Sequence, residues 1–381
     1  MPWREGGPME ERMRFVTEGE RGLYRMSELC ERFGVSRKTG YKWLGRWEEE
    51  GAAGLGDRSR APRGCRHRVR EEVAARLIEL RQRHPDWGPR KLLAIVRERE
   101  PAVRWPAAST VGELFKRSGL VQGRRRRRRC AGGFAGATVA KHPNDVWTAD
   151  FKGQFRLGDR GVCYPLTIMD RASRFILACQ ACGSTEQAGV RATMERVFRE
   201  VGLPEVVRTD NGVPFVVHGL LGLSTLAVWW MRLGIRPERI RPGHPQDNGS
   251  HERMHKDLKR MTRPPGRNQA VQQRRFDEFR WSYNRERPHE ALGQQPPARV
   301  WEPSTRAYPA RLREPEYPGH AEVRLVSDTG TFKFKGKFVF LSQPLAGQRV
   351  GLEETDDGVW SIRFFETLLG RLDEHTWELH A

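Results

Sequence analysis

The chain has 381 residues, with 68 Lys and Arg against 48 Asp and Glu, a formal net charge of +20. That length exceeds one ordinary domain, and the charge points to nucleic acid as partner, because clustered Lys and Arg bind phosphate by releasing counterions. Six scattered cysteines exclude a disulfide framework, the longest apolar run (Leu220 to Met231) is too short to cross a bilayer, and no signal-peptide core follows the first residues, so a reducing cytoplasm is expected.

Residues 10–60 read as a helix-turn-helix. Ser27 is expected to cap a short helix carrying Leu29, Cys30 and Phe33 inward. Gly34 makes the turn, Val35 packs beneath it, and Ser36 caps a second helix. The apolar face of that helix is read as Tyr41 and Leu44 with a tryptophan. Its other face shows Arg37, Lys38, Lys42 and Arg46, the layout of a helix that enters the DNA major groove. Residues 65–122 read as a second helical, helix-turn-helix-like unit. Val73, Leu77 and Leu80 recur at near-helical spacing, Asp86 and Ser109 stand as caps, Pro89 lies in a first turn, and Gly119 stops the last helix. An Arg-rich linker, 123–141, holds six consecutive arginines. Such a block cannot bury itself, and Arg124, Arg125 and Arg126 are candidate DNA contacts.

From Asn144 the period changes from helix to strand. The runs D-V-W-T-A-D-F, V-C-Y-P-L-T-I-M and F-I-L-A-C-Q-A predict a three-stranded meander. An amphipathic helix ending at Gly202, a fourth strand (E-V-V-R-T-D), a helix, a fifth strand (I-R-P-E-R-I-R), a loop-helix and two long basic helices complete residues 142–302. Such an order predicts a mixed sheet covered by helices. Cys179 and Cys182 form one C-x-x-C, with no further ligands spaced for zinc. Residues 315–381 alternate apolar and polar over short lengths and read as a small β-barrel or sandwich. Its strand face, Lys333, Lys335 and Lys337, is solvated or touches DNA.

Three acids carry the chemistry. Asp150 sits in a largely apolar strand, where a lone carboxylate is costly. Asp210 closes the run V-V-R-T-D-N-G. Glu252 lies on the loop-helix Pro242 to Lys259, sharing a face with Lys256 and Lys259 at spacings of four and three. Crowded acids repel one another and make sense mainly with a cation among them. Hard cations with open water sites take a few carboxylate oxygens, and two Mg2+ ions about 4 Å apart serve both ends of an in-line phosphodiester displacement.

The motifs D-F-K at 150, T-D-N-G-x-P-F at 209–215, P-G-H-P-Q-D-N-G-S-H-E-R at 242–253 and Y-N-x-x-R-P-H-E-A-L at 283–292 together resemble insertion-sequence transposases with a retroviral-integrase-type catalytic core. The resemblance runs from the first helix-turn-helix to about residue 300. It implies a multidomain α+β chain: N-terminal helix-turn-helix units, a ribonuclease-H-like mixed α/β core, and a small C-terminal all-β domain. It implies a catalytic, metal-holding set of Asp150, Asp210 and Glu252. In that set Asp150 bridges two Mg2+ (or Mn2+) ions, while Asp210 holds one and Glu252 the other. The excess length between Asp210 and Glu252 is placed at Leu220–Arg232.

The expected function is a DNA transposase that binds element-end inverted repeats, cuts 3′ ends and joins them to target DNA. It would work as a homo-oligomer on double-stranded DNA, with no membrane and no small-molecule substrate, in a bacterial, nucleoid-associated setting. Two alternatives stand: an inactive helix-turn-helix DNA-binding protein or repressor, and a ribonuclease-H-like nuclease. Asn211 and Gly212 are expected to shape the turn that presents Asp210. Asn248 and Gly249 should turn the loop into its helix, with Asn248 also a candidate DNA contact beside Lys256 and Lys259. Asp170 reads as a hairpin acid. His244, His251, His255 and His289 read as turn packing or DNA contacts, and Arg287, Pro288 and His289 as fixing the last helix. The Gly/Pro-rich approach to Glu252 suggests that this acid settles only when DNA and metal arrive.

Overall fold

The structure, a computed structural model, describes residues 7–58, 69–121, 137–216, 222–241 and 243–380. The arginine run, and with it Arg124, Arg125 and Arg126, lies outside the described residues. The chain divides into two compact units, residues 1–70 and 71–381.

The first unit is a three-helix cluster: α1 (Pro8–Glu20), α2 (Met26–Arg32) and α3 (Arg37–Glu50). Phe15, Val16, Leu29, Cys30, Val35, Trp43 and Leu55 form its core. Ser36 caps α3 by accepting from the Thr39 N–H at 3.2 Å, as expected. Two details differ from the sequence reading. Ser27 lies inside α2, because Glu28 reaches back to the Arg25 N–H (3.0 Å) and starts the helix earlier. Tyr41 is 57% exposed and Trp43 takes its place inward. Gly40 permits the helix crossing: a Cβ there would lie 2.7 Å from Cys30 Sγ and 2.9 Å from the Phe15 ring.

The second unit opens with α4 (Glu71–Arg83), α5 (Pro89–Arg99) and α6 (Ala108–Arg117). They close on Leu77, Leu80, Trp87, Leu92, Leu93, Val96, Val111 and Phe115. Pro89 occupies the first turn of α5, while Ser109 lies inside α6, whose N-cap is Ala107. Asp86 caps nothing; it pairs with Arg260 of the following region.

That region is built on β1 (Val146–Phe151), β2 (Phe155–Arg156), β3 (Val162–Asp170), β4 (Ile176–Cys182), β5 (Val206–Thr209) and β6 (Arg236–Arg239). β1, β3 and β4 form the antiparallel meander, and β5 and β6 run parallel to β1. Parallel strands need crossover helices, supplied by α7 (Gln187–Val201) before β5 and α8 (Thr225–Arg232) before β6. α8 fills much of the span where the excess length between Asp210 and Glu252 was placed. Then come α9 (Gly249–Met261) and α10 (Gln269–Arg285); one long helix follows the loop-helix, not two.

Strand parity sorts the faces. Trp147 and Ala149 of β1 pack with Val190, Met194, Phe198, Trp229 and Trp230 of α7 and α8. On the opposite face Met169, Ile176 and Cys179 meet Met254, Leu258, Phe276 and Phe279 of α9 and α10. Thr148 and Asp150, alternating with the apolar residues, therefore turn toward α9.

The C-terminal strands are β7 (Glu322–Leu325), β8 (Thr331–Phe334), β9 (Lys337–Phe340), β10 (Arg349–Asp356), β11 (Val359–Phe364), β12 (Thr367–Asp373) and β13 (Leu379–His380). They form an antiparallel sheet, β13-β12-β11-β10-β7, and a β8–β9 hairpin. Their core is built mostly from their own residues, Phe332, Phe334, Leu352, Ile362 and Phe364 among them, and Val228 and Met231 of α8 join it, so this segment is fastened to the central region. Lys333, Lys335 and Lys337 do not share one strand face either: Lys335 lies between β8 and β9 at φ +42° and pairs with Glu374. Among the described residues no helix is long and apolar enough to cross a membrane.

Candidate active site

Asp150 is the next-to-last residue of β1, opposite Thr167 of β3. Asp210 follows directly on β5, the strand beside β1. Glu252 sits in the first turn of α9. Burial first, then the charge of Asp210, pushes the Asp150 carboxyl up to about 7; Lys152 and the Phe151 N–H oppose this, and Glu252 adds a further push. Burial likewise raises Asp210, against a hydrogen bond from the Gly212 N–H at 3.1 Å. The expected turn is present: Asn211 donates from Nδ2 to the Ile240 carbonyl at 2.9 Å, and a Cβ on Gly212 would stand 3.1 Å from Asp210 Oδ2.

The structure adds a polar layer that sequence reasoning missed. His251 and His255, one turn apart on α9, are both buried. Thr167 Oγ1 lies 2.6 Å from His251 Nε2, 2.7 Å from His255 Nε2 and 3.1 Å from the Asp150 carbonyl. Thr167 Oγ1 is therefore shared by both rings and the Asp150 carbonyl. His251 Nδ1 lies 2.7 Å from Thr148 Oγ1, which also donates to the Met169 carbonyl at 3.2 Å. His255 Nδ1 lies 3.7 Å from Asp150 Oδ2. Burial holds both rings neutral, lowering His251 to about 3 and His255 further, with the charges of His251 and Lys152 adding to the latter. These histidines are neither turn packing nor DNA contacts, because α9 lays them against the sheet. Their signal was the inward stripe His251, Met254, His255, Leu258 at spacings of three and four.

Other predicted residues fall as follows. Asp170 is fully buried and structural, accepting from the Asn144 N–H (2.8 Å) and the Ser173 N–H (2.7 Å). His289 is partly buried, its ring 4.7 Å from that of Tyr283, and Arg287 pairs with buried Asp257 at 2.5 Å, so this segment does fix α10. Asn248 is 4% exposed, which contradicts a direct DNA contact; it closes the loop into α9. Lys256 and Lys259 are exposed on α9. On α3, Arg37 and Lys38 are exposed, whereas Lys42 and Arg46 lie over the Trp43 ring at 4.2 and 5.1 Å. Cys179 is buried and its thiol pushed well up by burial, as is that of Cys182, so the C-x-x-C is a strand feature.

Glu252 carries no hydrogen bond or ion pair among the described residues, and Asp210 accepts only from Gly212. Asp150 has a raised proton affinity from crowding and burial, and a cation relieves that. Carboxylate oxygens are the ligands that a hard divalent cation takes. Among the described residues, the group whose ligand atoms all lie within 4.8 Å of one another is Asp150, His251 and His255; Asp210 and Glu252 do not join it. Thr148 and Thr167 already engage both nitrogens of His251 and the Nε2 of His255, leaving His255 Nδ1 as the ring nitrogen that faces Asp150.

Comparison with known proteins follows this layout. Residues 140–245 and 233–297 each match an integrase core domain. Residues 11–63 match a helix-turn-helix domain and 39–115 a homeodomain-like domain. The insertion element IS476 uncharacterized 39.2 kDa protein of Xanthomonas euvesicatoria is 28% identical over 232 residues, 60% of this chain. The match spans 64% of that relative's length. The insertion element IS407 uncharacterized 31.7 kDa protein of Burkholderia multivorans is 27% identical over 240 residues, 58% of this chain and 78% of that protein. Among solved structures, the HTLV-2 integrase catalytic core domain in complex with magnesium aligns over 42% of this chain and 97% of its own, at 12% identity and a TM-score of 0.33. The paired integrase-core and helix-turn-helix matches bear out the resemblance to insertion-sequence transposases with an integrase-type core. An integrase core implies polynucleotidyl transfer, and helix-turn-helix domains imply DNA binding.

Proposed function

We propose that this chain, an integrase-core protein with helix-turn-helix domains, is a metal-dependent transposase. It cuts the 3′ ends of its own element and joins them to target DNA. The observation that supports this most is the placement of the three acids: Asp150 near the end of β1, Asp210 directly after the adjacent strand β5, and Glu252 in the first turn of α9, which packs on that sheet. Asp150, Asp210 and Glu252 would hold two Mg2+ or Mn2+ ions. Bound there, the metal supplies an activated water or 3′-hydroxyl and stabilises the leaving oxyanion.

The protein's own residues do the rest. The rigid sheet sets Asp150 against Asp210. The Thr167–His251–His255 layer holds the first turn of α9, and with it Glu252, against that sheet. Lys256 and Lys259 present cations along the same helix for the phosphates flanking the cut. Arg37 and Lys38 on α3 bind the element end, and the arginines 124–126 the DNA between domains. Two ends must be joined, so a homo-oligomer on DNA is the working form.

The test is incubation with Mg2+ and labelled DNA carrying the gene's flanking ends, beside Asp210→Asn. The expected outcome is 3′ nicking and strand transfer by wild type and none by the variant. Binding by both without cleavage would point to a repressor, and cleavage that survives Asp210→Asn would sink the assignment.

A further inference from the structure

Between the segment that follows Asp150 and the C-terminal end of α9 lies a cavity of about 360 Å³, lined by Lys152, Phe155, Pro165, Leu258, Lys259 and Arg263, with Gln154, Thr262, Pro265 and Phe276 completing its wall. It is at the small end of ligand-sized pockets, ~300–1,000 Å³, nearer one nucleoside than a base pair. Its interior is apolar: Pro165, Leu258 and Phe276 are buried, and Phe155 is half-buried at the wall. Its rim is cationic. Lys259 and Arg263 are exposed and pair with no carboxylate among the described residues. Lys152 lies two residues beyond Asp150 in the chain. An apolar slot ringed by cations suits a base with a phosphate on either side, since every base has a π-face to stack and a backbone charge beside it.

We infer that this cavity receives one unpaired nucleotide of the DNA strand held at the three acids, with Phe155 stacking on the base and Lys152, Lys259 and Arg263 taking its neighbouring phosphates. The inference rests on the proposed reading of the acids as a DNA-cutting site. The spacing is compatible. Lys259 lies seven residues beyond Glu252, ~10 Å along α9 at ~1.5 Å per residue. At ~3.4 Å per stacked nucleotide, that is about three nucleotides from the reacting phosphate. The edge of the base would meet Gln154 and Thr262; the Thr262 hydroxyl already donates to the Leu258 carbonyl at 2.8 Å, so it offers a lone pair to a base amino group. Unpairing the base is a cost, least at a strand end, and stacking offsets it.

The experiment uses the full chain and duplexes of the gene's flanking ends, each carrying a single 5-iodouracil one to five nucleotides from the terminus. Near-ultraviolet irradiation couples iodouracil to an aromatic ring stacked on it, and peptide mapping locates the adduct. One substituted position about three nucleotides from the cut should give an adduct on Phe155. Phe155→Leu should lower that yield about tenfold, and Phe155→Tyr should retain it. DNA bound, by anisotropy, with adducts only outside the cavity overturns the pocket while leaving the cutting site standing. No binding of any end duplex by wild type overturns both. Because the wild-type adduct map decides the matter alone, a Phe155 variant that folds poorly does not shelter the inference.

Discussion

The carboxyl of Asp150, pushed from an ordinary 3.8 up to about 7, ties folding to pH in a definite direction. Between those values the folded chain keeps a proton that the unfolded chain has lost. This contribution is complete below pH 3.8 and fades as pH rises through 7. Each unit is worth ~1.4 kcal/mol, and moving from about pH 5 to about pH 8 crosses roughly two units of the shift, so ~2–3 kcal/mol is lost. The side chain is 20% exposed, and screening by water puts the expectation at the lower end, ~2 kcal/mol. His251 and His289, both lowered to about 3 by burial, act oppositely: they stay neutral when folded, and stability falls as acid charges them in the unfolded chain. The wild-type profile is therefore a sum, and Asp150→Asn isolates one part of it. Chemical denaturation in chelator should show the variant gaining ~2 kcal/mol on wild type between about pH 5 and pH 8. Adding Mg2+ should reverse the order at high pH, with an apparent affinity that climbs up to tenfold per pH unit below about 7. Parallel pH profiles for the two proteins would refute the crowding argument.

Thr167→Val removes the oxygen shared by two buried imidazole nitrogens; it should cost ~2–5 kcal/mol in urea unfolding, while Thr167→Ser stays within ~1 kcal/mol. Lys256→Ala, on the exposed face of α9, should weaken DNA binding alike for all sequences and reduce the slope of log affinity against log salt by about 0.9. Gly40→Ala places a methyl 2.7 Å from Cys30 Sγ; it should destabilise the first unit by ~1–3 kcal/mol, seen as faster hydrogen exchange in α1–α3 with α7–α10 unchanged.

What the sequence disclosed follows from how local each signal is. Val146–Phe151 alternates with a period of two, so it announces a strand and also which of its residues share a face with Asp150. The turn after Asp210 announces itself through Asn211 and Gly212, because tight turns draw on few residue types. Strand register is different. That Asp150 stands opposite Thr167, 17 residues on, is decided by the whole meander, and without it the hydroxyl beneath His251 and His255 cannot be foreseen. The C-terminal strands show the same divide: their alternation is plain, but the Val228 and Met231 that join their core come from a helix about a hundred residues earlier. The start of α2 was misplaced by two residues because Glu28 meets the Arg25 N–H; α6 likewise starts two residues early, from an N-cap at Ala107, with no side-chain cap to announce it.

The histidine layer also changes the view of Glu252. A Gly/Pro-rich approach suggested an acid that settles only when its ligands arrive. Yet the turn that carries Glu252 is flanked by His251, which bonds both Thr148 and Thr167, and by His255, which bonds Thr167. Met254 and Leu258 sink into the apolar core below them. Helix α9 is thus held to β1 and β3 along the side opposite its cations. What remains adjustable is the side chain of Glu252 itself, half-exposed and without a partner among the described residues. The backbone holding the third acid is pre-set, and only a few side-chain torsions are left for the metal to fix. That is the economical arrangement for a site whose first two acids already repel each other across neighbouring strands.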